Sequence, residues 1–162
     1  MNVSIRKATK EDLPEVLALV KELALYEKAP NEVTITLQEL EKDGFGEHPL
    51  FWIILAENEK ACQTNESFGR EIVGMSFYYI RYSTWKGKCL YLEDIVVKEA
   101  FRGQKIGELL FNETIKVAKK MNAKLINWQV LDWNEPAINF YKKFNAELDP
   151  TWINGKLKMT KS

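Results

Sequence analysis

The sequence predicts a mixed α/β protein in which antiparallel strands precede a parallel β–α–β unit. Two observations carry this prediction. Segments with strand-like alternation or short apolar runs are interspersed with segments of helical periodicity. The second half of the chain also shows the order strand, helix, strand that is typical of a parallel crossover. We therefore expect one mixed central sheet with helices on its faces.

The first strand and the first helix are predicted at the start of the chain. Residues 3–6 alternate between apolar and polar side chains, which is typical of a half-buried strand. Thr9 and Asp12 have the spacing of a capping box and predict the start of a helix. The apolar residues behind this pair repeat at helical spacing and are Leu13, Val16, Leu17, Val20, Leu23 and Ala24.

A shorter helix and a hairpin are predicted next. Thr36 and Glu39 form a second capping box, and Gly44 is expected to end this helix. The segments 51–57 and 72–82 are rich in β-branched and aromatic residues, so each predicts a strand. We expect these strands to form an antiparallel hairpin around a polar loop over 58–71.

The β–α–β unit follows. A strand is predicted over 89–97, a helix over 106–121, and a second strand over 124–130 that runs parallel to the first if the crossover is right-handed. The apolar stripe of the helix is Ile106, Leu109, Leu110, Val117, Ala118 and Met121.

A last helix and a last strand complete the predicted order. Asn134 and Pro136 are typical of a helix start, and a final strand is predicted over 155–160. The buried stripe of that helix is expected to be Ala137, Phe140, Tyr141 and Phe144.

Composition bounds the class of protein. With 162 residues, the chain has the size of one domain, which we expect to span 1–162. Its 23 basic and 23 acidic side chains give no bulk attraction for nucleic acid or an anionic membrane. The sequence contains neither a membrane-spanning apolar run nor the apolar core of a signal peptide. Cys62, Cys89 and His48 have the spacing of neither a disulfide framework nor a zinc site. These features predict a cytoplasmic protein without a metal.

The junction before the helix 106–121 is the strongest chemical feature. It reads Arg102-Gly103-Gln104-Lys105-Ile106-Gly107. A glycine-bearing turn at a helix start presents unpaired N–H groups that hold phosphate. The same glycines fit a tight turn with close helix packing, and spacing alone favours neither interpretation. The pattern is neither a P-loop nor Gly-x-Gly-x-x-Gly.

A second feature is the segment 132–141. Asn134 at a helix start is an ordinary N-cap, and this structural interpretation is the simpler one. Tyr141 falls on the apolar stripe of its helix, where a tyrosine is usually a core residue with a bonded hydroxyl.

Several short segments of the sequence, taken together, carry more information than either the glycine turn or the segment 132–141. They are Lys21-Glu22-Leu23-Ala24, Tyr26-Glu27, Asp43-Gly44-Phe45-Gly46-Glu47-His48-Pro49, Tyr91-Leu92-Glu93-Asp94, Trp133-Asn134-Glu135-Pro136 and Ile138-Asn139-Phe140-Tyr141-Lys142. In this order they resemble the GNAT superfamily of N-acetyltransferases. Within it, the match is to the diamine acetyltransferases, which act on spermidine, spermine or thialysine. The resemblance covers most of the chain.

The resemblance implies the GNAT fold, in which a splayed pair of parallel strands holds coenzyme A. It also implies that acetyl-CoA is the co-substrate and that no metal takes part. The positions that match cofactor contacts are Ile95, Val96, Val97, Arg102, Gly103, Gln104, Lys105, Ile106, Gly107, Glu108, Asn134, Pro136 and Ala137.

The resemblance further implies two catalytic residues and an acidic substrate site. Tyr141 matches the general acid that protonates the departing thiolate, and Glu93 matches the residue that receives the amine proton, directly or through water. The substrate contacts are matched by Tyr26, Glu27, Glu93 and Asp94. The acceptor is expected to be a primary amine of a polyamine, a diamine or a thialysine-like compound, and the protein is expected to be a homodimer.

The sequence departs from the family pattern at Lys105, where the phosphate loop usually has a glycine. A helical conformation at this position and a contact between the ammonium group and a phosphate are both consistent with a lysine. Two alternatives stay open: acetylation of another small amine or an amino acid, and a CoA-binding protein of the same fold without turnover. Neither nucleic acid nor membrane is expected as a partner.

Overall fold

The computed structural model describes residues 2–60 and 69–159, so Cys62 and Thr160 lie outside the described residues. The chain divides into two compact units, Met1–Gln129 and Val130–Ser162. In the described ranges, no helix combines the length and the apolar character needed to cross a membrane.

Among the described residues, the five strands and three of the α-helices belong to the first unit. Its elements are β1 (Val3–Lys7), α1 (Leu13–Tyr26), α2 (Leu37–Phe45), β2 (Trp52–Lys60), β3 (Gly69–Ser83), β4 (Gly87–Val97), α3 (Ile106–Lys120) and β5 (Leu125–Asn127). The sheet order is β1-β2-β3-β4-β5. All neighbouring strands are antiparallel except the parallel pair β4–β5. The predicted mixed sheet with flanking helices is confirmed.

The hairpin of β2 and β3 is longer than predicted. β2 continues to Lys60 and β3 begins at Gly69, so parts of the predicted loop 58–71 are strand. In this extension Glu59 lies opposite Arg70. Opposite charges that face each other across strands stabilise a ladder. The prediction of a loop was wrong here because it was based on the polar composition of the segment.

Two predicted strands are corrected. β5 has three residues rather than the seven of 124–130. The final strand predicted over 155–160 is absent from its described part, 155–159. Leu157 and Met159 alternate with lysines, but they are 87% and 86% exposed. An alternating segment forms a strand only where a ladder partner and a buried face are available, and the described chain provides neither for these residues.

One face of the sheet packs against α1 and α2. The buried cluster contains residues from both helices and from three strands or their ends: Leu13, Val16, Leu19, Leu40, Phe51, Ile53, Leu55, Ile72, Met75 and Val96. Gly44 belongs to this packing and does not end α2, which continues to Phe45. A Cβ at Gly44 would lie 2.3 Å from the ring of Phe51, so the close approach requires glycine.

α3 covers the opposite face. Ser76 follows Met75 on β3, and successive side chains of a strand point to opposite faces. The Ser76 hydroxyl lies 2.7 Å from the Thr114 hydroxyl on α3, and both side chains are buried. In the predicted stripe of α3, Leu109 is 44% exposed, whereas Phe111 and Thr114 are buried in addition to Ile106, Leu110 and Ala118.

An ion-pair network attaches the start of α1 to the sheet. Arg6 on β1 donates from Nε to Glu57 at 2.7 Å and from both terminal nitrogens to Asp12 at 2.7 and 2.9 Å. The hydrogen bond from Arg6 is the main reason that the pKa of Asp12 falls to about 2, below its ordinary value. The predicted capping pair is also present, since the Thr9 N–H donates to the Asp12 carboxylate.

We predict that Arg6→Met lowers the free energy of unfolding by about 2–4 kcal/mol, because it leaves two partly or fully buried carboxylates without their cation. The matched control is Arg70→Met. The Arg70 guanidinium is 3.9 Å from Glu57 and its side chain is 63% exposed, so its loss should lower the free energy by less than about 1 kcal/mol. Urea unfolding at pH 7 measures both. Equal losses for the two variants would contradict the assignment.

Candidate active site

The site is built around one edge of β4. β4 pairs with β3 over its whole length, but with β5 only at Cys89, Leu90 and Tyr91. In the described part of the first unit, no strand pairs with 92–97 on the β5 side. The parallel pairing therefore ends at Tyr91. We call residues 95–97, with which no strand in the described part of this unit pairs on that side, the open backbone edge.

The direction of the backbone groups along this edge follows from the ladder. The Lys98 N–H donates to the Val73 carbonyl on β3 at 2.8 Å. In an antiparallel pair, residues alternate between bonding to the partner strand and pointing away from it. The N–H and C=O groups of Ile95 and Val97 therefore point away from β3, and those of Val96 point toward it.

A β-bulge lies at the start of the open edge. Asp94 is opposite Phe77 and Leu92 is opposite Tyr78, so Glu93 is an extra residue on β4. A bulge redirects the side chains next to it and is common beside active sites. Here it places Glu93 with an exposed side chain.

Three carboxylates from two elements interact at this bulge. Burial raises the pKa of Asp94 to about 7, and the negative charges of Glu93 and then Glu27 add to the effect. Burial also raises the pKa of Glu27, which follows the last residue of α1. Asp94 is thus close enough to the two other predicted substrate carboxylates, Glu93 and Glu27, to be affected by their charges. Such a cluster favours a bound cation.

Two tyrosines beside Glu93 were missed by the sequence analysis. The rings of Tyr79 and Tyr91 are stacked with their centroids 5.0 Å apart. Burial, followed by the charge of Glu93, raises the pKa of Tyr79 to about 12. Aromatic residues in a strand are usually structural, and only the register that pairs Tyr79 with Tyr91 places them beside the carboxylates.

The turn between β4 and α3 has the open backbone that a phosphate loop needs. Gly103 has a φ of 75°, and no atom lies within 4 Å of the position of an added Cβ. Arg102, Gln104 and Lys105 are exposed around it. The predicted residues Ile106, Gly107 and Glu108 form the first turn of α3, whose N–H groups have no partner within the helix.

Lys105 is not in a right-handed helical conformation. Its φ of 62° and ψ of 14° lie in the left-handed region, and it is the N-cap of α3. Glycine adopts this conformation without strain, whereas a lysine adopts it at a cost. Lys105 therefore departs from the family pattern in its side chain, whereas its backbone has a conformation that glycine favours.

Arg102 and Tyr26 contact each other. The Arg102 guanidinium lies over the Tyr26 ring at 5.1 Å from its centroid. The Nε of Arg102 also donates to the Val97 carbonyl at 3.3 Å. A predicted substrate residue on α1 thus lies against a predicted cofactor residue of the turn.

The second unit carries the remaining predicted residues on α4 (Glu135–Lys142). The Asn134 side chain caps this helix by accepting from the Ala137 N–H at 3.3 Å, and Pro136 lies in the first turn. Tyr141 is 5% exposed, and its ring is 5.3 Å from that of Phe140 in an edge-to-face arrangement. Only Tyr141 of the predicted stripe is fully buried. Ala137, Phe140 and Phe144 are half-buried.

Among residues 2–60 and 69–159, no group of three or more His, Cys, Asp or Glu side chains is arranged to hold a metal ion.

Comparisons with known proteins agree with this geometry. The model of the acetyltransferase (GNAT) family matches residues 16–146. The chain is 41% identical over 145 residues to the thialysine N-epsilon-acetyltransferase of Bos taurus, covering 90% of this chain and 84% of that protein. It is 37% identical over 142 residues to spermidine/spermine N(1)-acetyltransferase-like protein 1 of Homo sapiens, covering 88% of this chain and 20% of that protein.

A solved structure shows the same fold. An aminoglycoside acetyltransferase from an uncultured soil metagenomic sample, in complex with sisomicin, matches with a TM-score of 0.74 at 18% identity. The match covers 96% of this chain and 97% of that one. At this identity the likeness supports the fold alone, and the predicted GNAT fold is confirmed.

The raised pKa of Asp94 predicts a pH-dependent stability. A folded-state pKa of about 7, above the ordinary 3.8, means that the folded protein binds this proton more tightly than the unfolded chain. The stabilisation is complete below about pH 4 and is lost as the pH rises to about 7. Asp94→Asn removes this dependence, so its free energy of unfolding relative to wild type should be higher at pH 8 than at pH 4 by on the order of 4 kcal/mol. Urea unfolding at both pH values measures it. A constant difference would contradict the prediction.

The conformation of Lys105 predicts a stabilising substitution. Lys105→Gly should raise the free energy of unfolding by about 1 kcal/mol, because glycine adopts the left-handed conformation without the strain of a side chain. Lys105→Ala is the control: it also removes the ammonium group but keeps a Cβ, so it should not stabilise the protein. Thermal unfolding of the three proteins measures the effect. A Lys105→Gly variant that is no more stable than Lys105→Ala would show that the backbone is unstrained.

Proposed function

Because the chain belongs to the GNAT family of acetyltransferases, we propose that it acetylates a primary amine of a polyamine, a diamine or a thialysine-like acceptor. Family membership and the named relatives make it an acetyl-CoA-dependent N-acetyltransferase, as the sequence predicted. The acceptor class is our proposal. It is supported by the thialysine acetyltransferase at 41% identity and by the spermidine/spermine acetyltransferase-like relative.

One observation carries the proposal: a single strand joins an acidic cluster to an open backbone edge. Glu93 and Asp94 lie at the bulge, and the outward groups of Ile95 and Val97 follow directly. An amine cation attracted to the carboxylates would therefore be next to a ligand bound along the edge. The acidic cluster and the open edge are neighbours along β4, which suits transfer of an acetyl group between two substrates bound in one ternary complex.

The residues of the first unit fit coenzyme A. Its extended pantetheine arm matches a strand edge, to which amides bond by strand addition. Its diphosphate matches Arg102, the open turn at Gly103 and the start of α3. We propose these first-unit residues as cofactor contacts. For Asn134, Pro136 and Ala137 the same role is proposed on the resemblance alone.

The acid–base roles are proposed for two residues. An alkylamine is protonated at neutral pH, so it must lose a proton before it attacks. Acetyl-CoA supplies the thioester carbonyl that the amine attacks. Glu93 is exposed at the bulge and receives the amine proton, directly or through water. Tyr141 donates its phenolic proton to the departing thiolate, a role that rests on the resemblance.

Three further expectations remain proposals. We propose one acetyltransferase domain over 1–162, a cytoplasmic location, and a homodimer with no nucleic-acid or membrane partner. Tyr82 and Trp85 at the β3–β4 turn are 75% and 79% exposed, and in the second unit Trp152 is 74% exposed. These are the candidate interface residues.

The acceptor class is tested with an amine panel. We predict that a short diamine, spermidine or thialysine has a kcat/KM about three- to tenfold higher than an uncharged-tail amine of equal length, because the second charge meets the carboxylate cluster. Glu27→Gln and added salt should both reduce this ratio. Glu113→Gln on α3 is the control and should leave it unchanged. Thiol release from acetyl-CoA measures each rate. A monoamine that equals its diamine counterpart would refute the acceptor class, and no thiol release with any amine would refute the enzymatic function.

The proposed general acid is tested separately. Tyr141→Phe should lower kcat by roughly 10²- to 10⁴-fold, because it removes a positioned proton donor. Its affinity for CoA and its unfolding midpoint should stay close to those of the wild type. Steady-state kinetics and calorimetric titration with CoA measure the two effects. An unchanged kcat would assign the proton to water or to another group.

A further inference from the structure

The connection between β4 and α3 is held in place by one stripe of α1. Residues 98–105 contain only a short 3₁₀ turn, Glu99–Phe101, and no strand or α-helix. Three side chains of α1 reach this connection, from Glu15, Glu22 and Tyr26. Their spacings of seven and four residues place them on one face of the helix.

The three contacts are of different kinds. The Glu15 carboxylate is 3.8 Å from the Lys98 ammonium group. The Glu22 carboxylate accepts a hydrogen bond from the Glu99 N–H at 3.1 Å, at the start of the 3₁₀ turn. The Tyr26 ring lies under the Arg102 guanidinium. The Glu15 side chain is 56% exposed, so its pair with Lys98 contributes little. The other two contacts restrict the backbone and the side chain of the connection.

Tyr26 is the contact closest to the phosphate loop. Arg102 is exposed, and without a neighbour its long side chain would sample many rotamers. The Tyr26 ring contacts its guanidinium, and the Val97 carbonyl accepts a hydrogen bond from its Nε. Together these contacts hold the guanidinium beside the open edge of β4 and the turn at Gly103. The family resemblance implies that Tyr26 contacts the amine, but in this structure its ring faces a cofactor residue.

We infer that Tyr26 is a positioning residue for the cofactor: it holds Arg102 ready to bind the diphosphate of coenzyme A. This inference rests on the proposed function, and it assigns Tyr26 to the cofactor side of the reaction. An aromatic ring stabilises a guanidinium through the charge distribution of its face. The ring, and not the hydroxyl group, therefore carries the role.

The test compares Tyr26→Leu with Tyr26→Phe. By calorimetric titration with CoA, Tyr26→Leu should bind about three- to fivefold more weakly than wild type, and Tyr26→Phe within about twofold of it. The KM for the amine should change in neither variant. Leu25→Ala is the control, since Leu25 precedes Tyr26 and is 66% exposed; it should bind CoA like the wild type.

A double-mutant cycle separates positioning from a loss of structure. Arg102→Gln should weaken CoA binding more in the wild type than in the Tyr26→Leu background, because the unpositioned arginine contributes less. Thermal unfolding midpoints show whether each variant is folded. If Tyr26→Leu fails to fold, the same cycle is run with Tyr26→Met, which keeps an apolar side chain of similar length without a ring, and it must show the same reduction in the effect of Arg102→Gln.

The outcomes distinguish this inference from the proposed function. Equal CoA affinity in Tyr26→Leu and wild type would overturn the inference alone. A raised KM for the amine with unchanged CoA affinity would also overturn it and return Tyr26 to the substrate side. A wild-type protein that binds no CoA would overturn the proposed function and the inference with it.

Discussion

β4 is longer than the strand beside it, and the site depends on this mismatch. β4 has 11 residues, but β5 pairs with only three of them. Backbone N–H and C=O groups in a folded protein need partners, so an open edge is a place where an extended chain or ligand can add. The Val97 carbonyl already accepts a hydrogen bond from Arg102. The bulge at Glu93 begins within two residues of the last β5 pair, and the turn at Gly103 follows the end of the edge.

The charges of the site are separated along this edge, and the net charge of the chain does not reveal them. The 23 basic and 23 acidic side chains cancel over the whole sequence. Locally, three carboxylates gather at the bulge, while Arg102, Lys105 and the start of α3 lie beyond the other end. The two ends suit ligands of opposite charge, an amine cation and a phosphate anion. Partial burial makes the negative charge at the acidic end costly, as the raised pKa of Asp94 shows, and a bound cation relieves that cost.

Much of the fold could be predicted because local signals and tertiary packing agree. The capping pair of α2, the apolar stripes of α1 and α3 and the β-branched and aromatic composition of β2 and β3 all correspond to observed elements. The length of β5 and the fate of residues 155–159 could not be predicted, because a strand exists only where a partner pairs with it. Gly44 could not be interpreted correctly for the same reason. It allows the close approach of the Phe51 ring, which lies outside α2.

The site was predicted in part for a similar reason. The family resemblance singled out Glu93, Asp94 and Arg102 as candidate site residues, and the structure places them on β4 and on the turn after it. The register of β3 and β4, which brings Tyr79 and Tyr91 beside Glu93, is a long-range property that no local pattern contains. The left-handed conformation of Lys105 was equally hidden, because lysine rarely adopts it.

The central claim is that coenzyme A bonds to the open edge of β4, and amide hydrogen exchange measured by NMR tests it most directly. The N–H groups of Ile95 and Val97 point away from β3, whereas the N–H of Val96 already bonds to it. Saturating CoA should therefore slow exchange at Ile95 or Val97 and in the first turn of α3, and should change Val96 much less. Unchanged exchange at both Ile95 and Val97, with CoA bound, would contradict the claim.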